Sequence, residues 1–112
     1  KISLKTGKGA ELVFDDKASK THVKIKGLSV ELDGKGKAIT LKAAGDIKIK
    51  AGGKVIIAGA KGVDIKGKDV IIKSDMNTKI KGGMKVAIEG GVGVDIIGAA
   101  KVSVKGGITS IG

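Results

Sequence analysis

The chain of 112 residues contains no cysteine, proline, tryptophan or tyrosine, and its one aromatic residue is Phe14. Without cysteine, no disulfide framework holds the fold together. Ordinary globular cores use aromatic side chains to fill the space between layers, so their near absence indicates a core too narrow to admit rings. The longest apolar run is about six residues, around Val55 to Ala60, which is far below the roughly 18 that a membrane-spanning helix requires.

Arginine is also missing, so all 22 basic residues are lysine. The formal net charge is +11. A strongly basic chain is suited to an anionic partner such as nucleic acid or a membrane surface. Arginine reads bases and phosphates through paired hydrogen bonds, and aromatic rings stack on bases, so their absence argues against specific nucleic-acid recognition. Two interpretations of the lysines remain: a solvated exterior that keeps a β surface soluble, and attraction to an anionic envelope.

No constellation of catalytic or metal-binding residues is present. The single histidine, His22, cannot form a histidine pair and is expected to be an exposed strand residue. Asp15 and Asp16 are adjacent, so on a strand they would point to opposite faces, and they are expected to form a turn rather than an acid-base or metal site. The glycine-rich segments match neither the phosphate-binding loop nor the calcium-binding repeat. The sequence predicts no enzyme, no cofactor and no metal.

What the chain does contain is a pair of apolar residues, separated by one residue, that recurs every eight residues from Ile39 to Val104. Seventeen of the eighteen pair positions are apolar, Thr78 is the exception, and all but Leu41 of the seventeen are Val or Ile. The period of two places both members on the same face of a strand. The predicted core positions are Ile39, Leu41, Ile47, Ile49, Val55, Ile57, Val63, Ile65, Val70, Ile72, Ile80, Val86, Ile88, Val94, Ile96, Val102 and Val104.

The residues between successive pairs are rich in Gly, Lys, Asp and Ala, as in Ala51-Gly52-Gly53-Lys54. Each repeat of eight residues, or octad, is therefore predicted to be a three-residue strand followed by a corner. The spacing falls to seven between Val63 and Val70, which predicts one shortened corner or a small bulge. Rungs this short cannot bury their apolar face alone, so the pattern predicts a stacked all-β architecture.

The pattern divides the chain into three segments. Residues 1–38 carry apolar pairs at irregular spacings and are predicted to form a less regular β base, in which Lys17 to Lys20 is a hairpin loop or a wide corner. Residues 39–104 form the octad repeat. Residues 105–112 form a blunt tip, because Ser110 and Gly112 stand where the next apolar pair is due. The start at Lys1, without methionine, suggests a fragment of a longer protein.

Two architectures can satisfy such a repeat. A single chain needs about three octads for each turn of a solenoid, which leaves about three turns and a small core. Three parallel copies wound about one axis would instead form a triangular prism, in which each octad supplies one edge and every strand is hydrogen-bonded by its partners above and below. The second arrangement leaves no lateral sheet edges.

Five segments resemble a known family, the C-terminal spike of VgrG-type proteins. The family includes the central spikes of contractile phage tails, type VI secretion systems and extracellular contractile injection particles. The resemblance covers nearly the whole chain. The segments are ELVFDD (residues 11–16), VELD (30–33), AITLK (38–42), GDIKIK (45–50) and GKVII (53–57).

The resemblance implies an intertwined homotrimeric triple-stranded β-helix, a needle at the tip of a rigid tube that sheath contraction drives through a target cell envelope. It implies assembly in the bacterial cytoplasm followed by release on a particle or by secretion. It also implies an upstream region, absent here, that binds baseplate and tube proteins. The His-X-His iron site of some related phage spikes has no counterpart in this sequence.

The resemblance further implies a partner at the C-terminal end, since related spikes are capped by a conical PAAR-repeat protein. The predicted docking face is Ile108, Thr109, Ser110, Ile111 and Gly112, and the simpler alternative for these residues is chain-end fraying. The leading functional hypothesis is a mechanical spike that carries a tip or effector protein. The alternative is a single-chain β-solenoid adhesin or a basic surface-binding module for membrane or nucleic acid.

Overall fold

The computed structural model describes all 112 residues, which form strands, turns and bends but no helix. One sheet contains five antiparallel strands in the order β1-β2-β3-β4-β5. The prediction of an all-β chain is therefore confirmed. The chain divides into two compact units, Lys1–Val63 and Asp64–Gly112. The strands are β1 (Ile2–Lys5), β2 (Glu11–Asp15), β3 (Lys20–Ile25), β4 (Leu28–Asp33) and β5 (Ala38–Ala43).

The turn between β2 and β3 is a hairpin loop, which decides between the two predicted alternatives. Asp15 Oδ1 accepts a hydrogen bond from the N–H of Ala18 at 3.2 Å, and the carbonyl of Asp16 accepts one from the N–H of Ser19 at 3.3 Å. Ser19 adopts a left-handed conformation with φ of 53°. The Asp15 carboxylate and the main-chain carbonyl of Asp16 therefore shape a turn, as predicted.

The turn between β4 and β5 uses the same chemistry. Asp33 Oδ1 accepts hydrogen bonds from the N–H groups of Lys35 and Gly36 at 3.1 and 3.0 Å, and Lys37 is left-handed with φ of 54°. A Cβ atom on Gly36 would lie 2.7 Å from Asp33 Oδ2, so glycine leaves room for the carboxylate. Short aspartate-capped turns of this kind return the chain directly into the next antiparallel strand.

Apart from Val13, the large apolar residues of the five strands lie on one face, which also carries Thr21. Leu12 lies opposite Val23, and Val30 lies opposite both Val23 and Leu41. The predicted base boundary at residue 38 is the first residue of β5, so the pair Ile39/Leu41 belongs to this sheet, where a six-residue strand pairs with β4. The apolar face comprises Ile2, Leu4, Leu12, Phe14, Val23, Ile25, Leu28, Val30, Leu32, Ile39 and Leu41.

Among its larger side chains, the opposite face of the sheet is polar apart from Val13, and it brings basic and acidic side chains together. Lys20 Nζ lies 3.7 Å from Glu31 Oε1, and His22 Nε2 lies 3.5 Å from Glu11 Oε1. His22 is therefore partly buried beside a carboxylate, not exposed as expected, because its strand lies between two neighbours. Val13, opposite His22 in the register, is the one fully buried side chain of the molecule.

Beyond the sheet, the backbone bends at a regular interval. In the first unit the bends lie at residues 44–45, 52–53 and 60–61. In the second unit they lie at residues 68, 75–76, 83–84, 91–92, 99–100 and 107–108. The step is eight residues except for the seven between 68 and 75, and the bend at Lys68 is a single residue. This narrow bend lies between Val63 and Val70, where the sequence spacing predicts a shortened corner.

Five of the nine corners bring residues i and i+4 together. At four corners residue i is glycine, and the carbonyl oxygen of residue i+3 occupies the space that its Cβ would need. The same Cβ position lies 3.1 to 3.6 Å from Cγ2 of a valine, the first member of the next apolar pair. These contacts are Gly59 with Val63, Gly82 with Val86, Gly90 with Val94, and Gly98 with Val102.

The one polar pair position has the same geometry. Thr78 Oγ1 lies 2.8 Å from Ser74 Oγ, four residues earlier. A hydrogen-bonded hydroxyl pair therefore replaces the glycine–valine contact in this repeat. Thr78 fits the octad because its hydroxyl has a partner within its own corner.

The corner geometry predicts that two adjacent glycines respond differently to alanine. In Gly82→Ala the new Cβ overlaps the Lys85 carbonyl, and the overlap should cost about 1–3 kcal/mol of unfolding free energy. Gly83→Ala is the matched control, because nothing lies within 4 Å of its Cβ position, and its stability should change by no more than about 1 kcal/mol. Chemical unfolding followed by circular dichroism measures both, and equal losses would contradict the corner contact.

Candidate assembly interface

The single chain exposes far more surface than a folded monomer of its size. Its accessible surface is 11537 Å², whereas a folded monomer of 11.2 kDa exposes about 5,700 Å². Val13 is the only buried hydrophobic residue. A chain with this surface has almost no core of its own, and its apolar residues stay open to solvent.

The apolar face of the sheet is one part of this uncovered surface. Its exposed large side chains range from 40% accessible at Val30 to 74% at Ile39. A groove of about 320 Å³ on this face is lined mainly by apolar residues and reaches Ile47, the first member of the next apolar pair. The face of the sheet thus continues into the start of the octad series.

The octad pairs are the second part, and their environment is the same in every repeat. The first apolar member is between 49% and 54% exposed, and the second between 67% and 70%, from Ile47 to Val104. The intervening Ile56 and Ile71 are 82% and 86% exposed. None of the pair positions carries a charge. The predicted core residues therefore form a repeated, uncharged apolar surface that the single chain leaves open.

The peptide groups of the octad region also lack hydrogen-bond partners within the chain. From Gly45 to Gly112 the only backbone hydrogen bond joins the N–H of Gly62 to the carbonyl of Gly59, at 3.2 Å. No residue of this region is paired in a sheet. Peptide groups that leave water need hydrogen-bond partners, and sheet strands obtain them from neighbouring strands. Strands of other chains would satisfy the backbone and cover the apolar pairs at once.

The predicted docking residues at the C-terminus lie on the surface. The bend at Gly107 and Ile108 continues the eight-residue step beyond Val104, although the apolar pair is replaced by Ser110 and Gly112. Ile108 and Ile111 are both 94% exposed. Corner periodicity thus extends one repeat farther than the apolar series, and binding of a tip protein here stays a prediction.

A second series of apolar residues lies at the bends and was missed by the sequence analysis based on apolar pairs. In the second unit, the second residues of the two-residue bends form a series with a step of eight. The signal that could have found it is this spacing, once the corners are aligned with one another. Its members in the second unit are Met76, Met84, Val92, Ala100 and Ile108.

Other sources of functional evidence are sparse. No protein-family model matches the chain, and a search among curated proteins finds no significant relative. No group of three or more acidic or histidine side chains is placed to hold a metal ion. The structure also has no helix with the length and hydropathy needed to cross a membrane. Function is therefore inferred from the apolar pairs, the unpaired backbone and the distribution of charge.

Adjacent isoleucines test which side of the octad is the interface. Ile72→Asp places a carboxylate at a pair position, where burial without a partner costs several kcal/mol per chain, so assembly should be lost. Ile71→Asp is the control, because Ile71 lies between the pair positions and is 86% exposed. Sedimentation velocity should show small species for the first variant and native-size species for the second. Loss of assembly in both variants would show that the two sides are not distinct.

Proposed function

We propose that this chain is the structural, mechanical spike of a contractile injection machine, in which three identical copies wind into an intertwined triple-stranded β-helix. The observation that carries the proposal is the repeated apolar pair on a backbone that lacks hydrogen-bond partners. Both deficiencies recur with the same step of about eight residues. A partner with the same step could cover the apolar pairs and hydrogen-bond the backbone along the whole repeat. Another copy of the chain has that step because its sequence is identical.

Pairing between copies is better supported than pairing within one chain. In a single-chain solenoid, each rung would pair with the rung about three octads later. Residues 44–112 contain no such pairing in the structure. The adhesin alternative requires rungs of one chain to pair with one another. Because this pairing is absent, the structure gives that alternative no support.

The composition of the pair positions suits a narrow threefold column. Val dominates the first position and Ile the second, and neither needs the space that an aromatic ring would occupy. No lysine stands at a pair position, so three copies could bury these rows without burying charge. The apolar face of the β1–β5 sheet would be covered in the same way, by the corresponding faces of the other copies.

A column of this kind suits a piercing role because its stiffness would come from strand pairing and apolar packing and would need no active site. Each strand would be hydrogen-bonded on both sides by other copies, and no lateral edge would remain open to aggregation. A dense Val and Ile interior resists compression. The proposed partners are two further copies of the chain, baseplate and tube proteins through an upstream region, a PAAR-type protein at residues 108–112, and the target envelope.

The first test is the absolute molar mass by light scattering, over a tenfold dilution and in high salt. We expect a mass near three times 11.2 kDa. The mass should be insensitive to salt, since the interface is apolar and uncharged and salt screens only charges. A stable monomer would refute the spike and favour a single-chain module whose lysine-rich surface binds anionic partners.

The tip prediction has its own test. The double variant Ile108→Ser/Ile111→Ser should weaken binding of a PAAR-repeat protein by about tenfold or more, because it removes two exposed apolar side chains from the docking face. Ile56→Ser/Ile71→Ser removes equivalent isoleucines away from the tip and should leave the affinity unchanged. Surface plasmon resonance measures both. Equal affinity for the tip variant and the wild type would exclude this docking face.

A further inference from the structure

The outer corners of the repeat change character along the chain. In the first three two-residue bends the second residue is Gly45, Gly53 or Lys61, and the single-residue bend is Lys68. In the last five bends the corresponding residue is apolar, and we call this series the corner ridge. Its large members are at least 89% exposed. The corner ridge consists of Met76, Met84, Val92, Ala100 and Ile108, all within the second unit.

The charge of the chain changes within the corner ridge, between Met84 and Val92. Residues 86–112 contain two lysines and two acidic residues, so their net charge is zero. The entire formal charge of +11 therefore belongs to residues 1–85. Between Lys85 and Lys101 no lysine occurs at all. Val92, Ala100 and Ile108 lie in this neutral segment, whereas Met76 and Met84 lie in the last repeats that carry the lysine-rich surface.

Assembly through the pair positions does not account for the corner ridge. Its residues lie at bends, whereas the pairs lie in the unbent segments between them. In the proposed trimer, consecutive octads lie on successive faces of the prism, so each outer edge would carry corner residues from all three copies. The alignment of corner residues along one edge rests on the proposed function. The exposure of each side chain is observed in the single chain.

We propose that the corner ridge contacts the hydrocarbon region of a lipid bilayer. The ridge presents single apolar side chains at bends, and Asp75 is the only polar residue that shares those bends, whereas protein interfaces usually supply one hydrogen bond per 100–200 Å². Hydrocarbon chains require neither shape complementarity nor hydrogen bonds. Methionine is unbranched and adapts to an irregular environment.

The adjoining lysines fit the same occupant. Lys79, Lys81 and Lys85 precede the neutral segment, and lysine side chains keep their charged ends at the polar headgroups while their stems cover apolar surface. Anionic headgroups attract such lysines. A neutral segment can enter the apolar layer without moving a net charge out of water. The charge distribution therefore matches a bilayer with the C-terminal repeats on the apolar side.

The test measures cosedimentation of the intact chain with vesicles of phosphatidylcholine alone, where lysine attraction is weak. Met76→Ser/Met84→Ser/Val92→Ser should reduce binding at least about tenfold, because three apolar side chains are lost. Ile56→Ser/Ile71→Ser, which changes exposed apolar residues outside the corner ridge, should bind like the wild type. Lys61→Met/Lys68→Met extends apolar corners toward the N-terminus and should increase binding.

The outcomes separate the two proposals when molar mass is measured on the same samples. A trimer that fails to bind neutral vesicles, or binds only phosphatidylglycerol vesicles in a salt-sensitive way that the ridge variant leaves unchanged, overturns the lipid contact and leaves the spike standing. A monomer whose binding depends on the ridge supports the lipid contact and overturns the spike. A monomer that does not bind neutral vesicles overturns both.

Discussion

Hydrogen bonding of the backbone is the constraint on which the rest of this structure depends. The residues after the sheet carry one backbone hydrogen bond among them, between Gly62 and Gly59. A row of strands without neighbours cannot leave water, because its peptide groups would lose their partners. The half-exposed Val and Ile pairs create the opposite demand, since they gain stability only when they leave water. Neighbouring strands with the same step reconcile the two demands, which is why the repeat points to assembly.

The corners determine that step. At Gly82 the carbonyl of Lys85 lies where a side chain would begin, and Val86 packs against the bare glycine. Ser74 and Thr78 reach the same arrangement through a hydrogen bond. Because the corner is closed by contacts within one chain, the position of each apolar pair is set locally. In the proposed trimer, partner copies would need only to match a step that every chain already has.

Polarity is distributed differently in the two parts of the molecule. In the sheet, opposite charges such as Lys20 and Glu31 pair on one face, and the other face is apolar except for Thr21. In the repeats, apolar residues occupy the pair positions along the whole series, but the outer corners turn from glycine and lysine to apolar only after Lys68. A spike of the proposed kind would need an exterior that tolerates water along its length, and the repeats after Lys85, whose net charge is zero, would relax this requirement.

The sequence by itself determined the apolar pairs, the corners between them, the short corner near Lys68 and the aspartate turn at Asp15, because each depends on neighbouring residues and on a period that can be counted. It could not assign Ile39 and Leu41 to the sheet, since a period of two is common to a hairpin strand and to a rung of a β-helix. Tertiary structure decided that point through the register between β4 and β5. It also decided the partial burial of His22 beside Glu11 and the contact between Ser74 and Thr78. These depend on how strands and corners fold back in space, which a linear period does not contain.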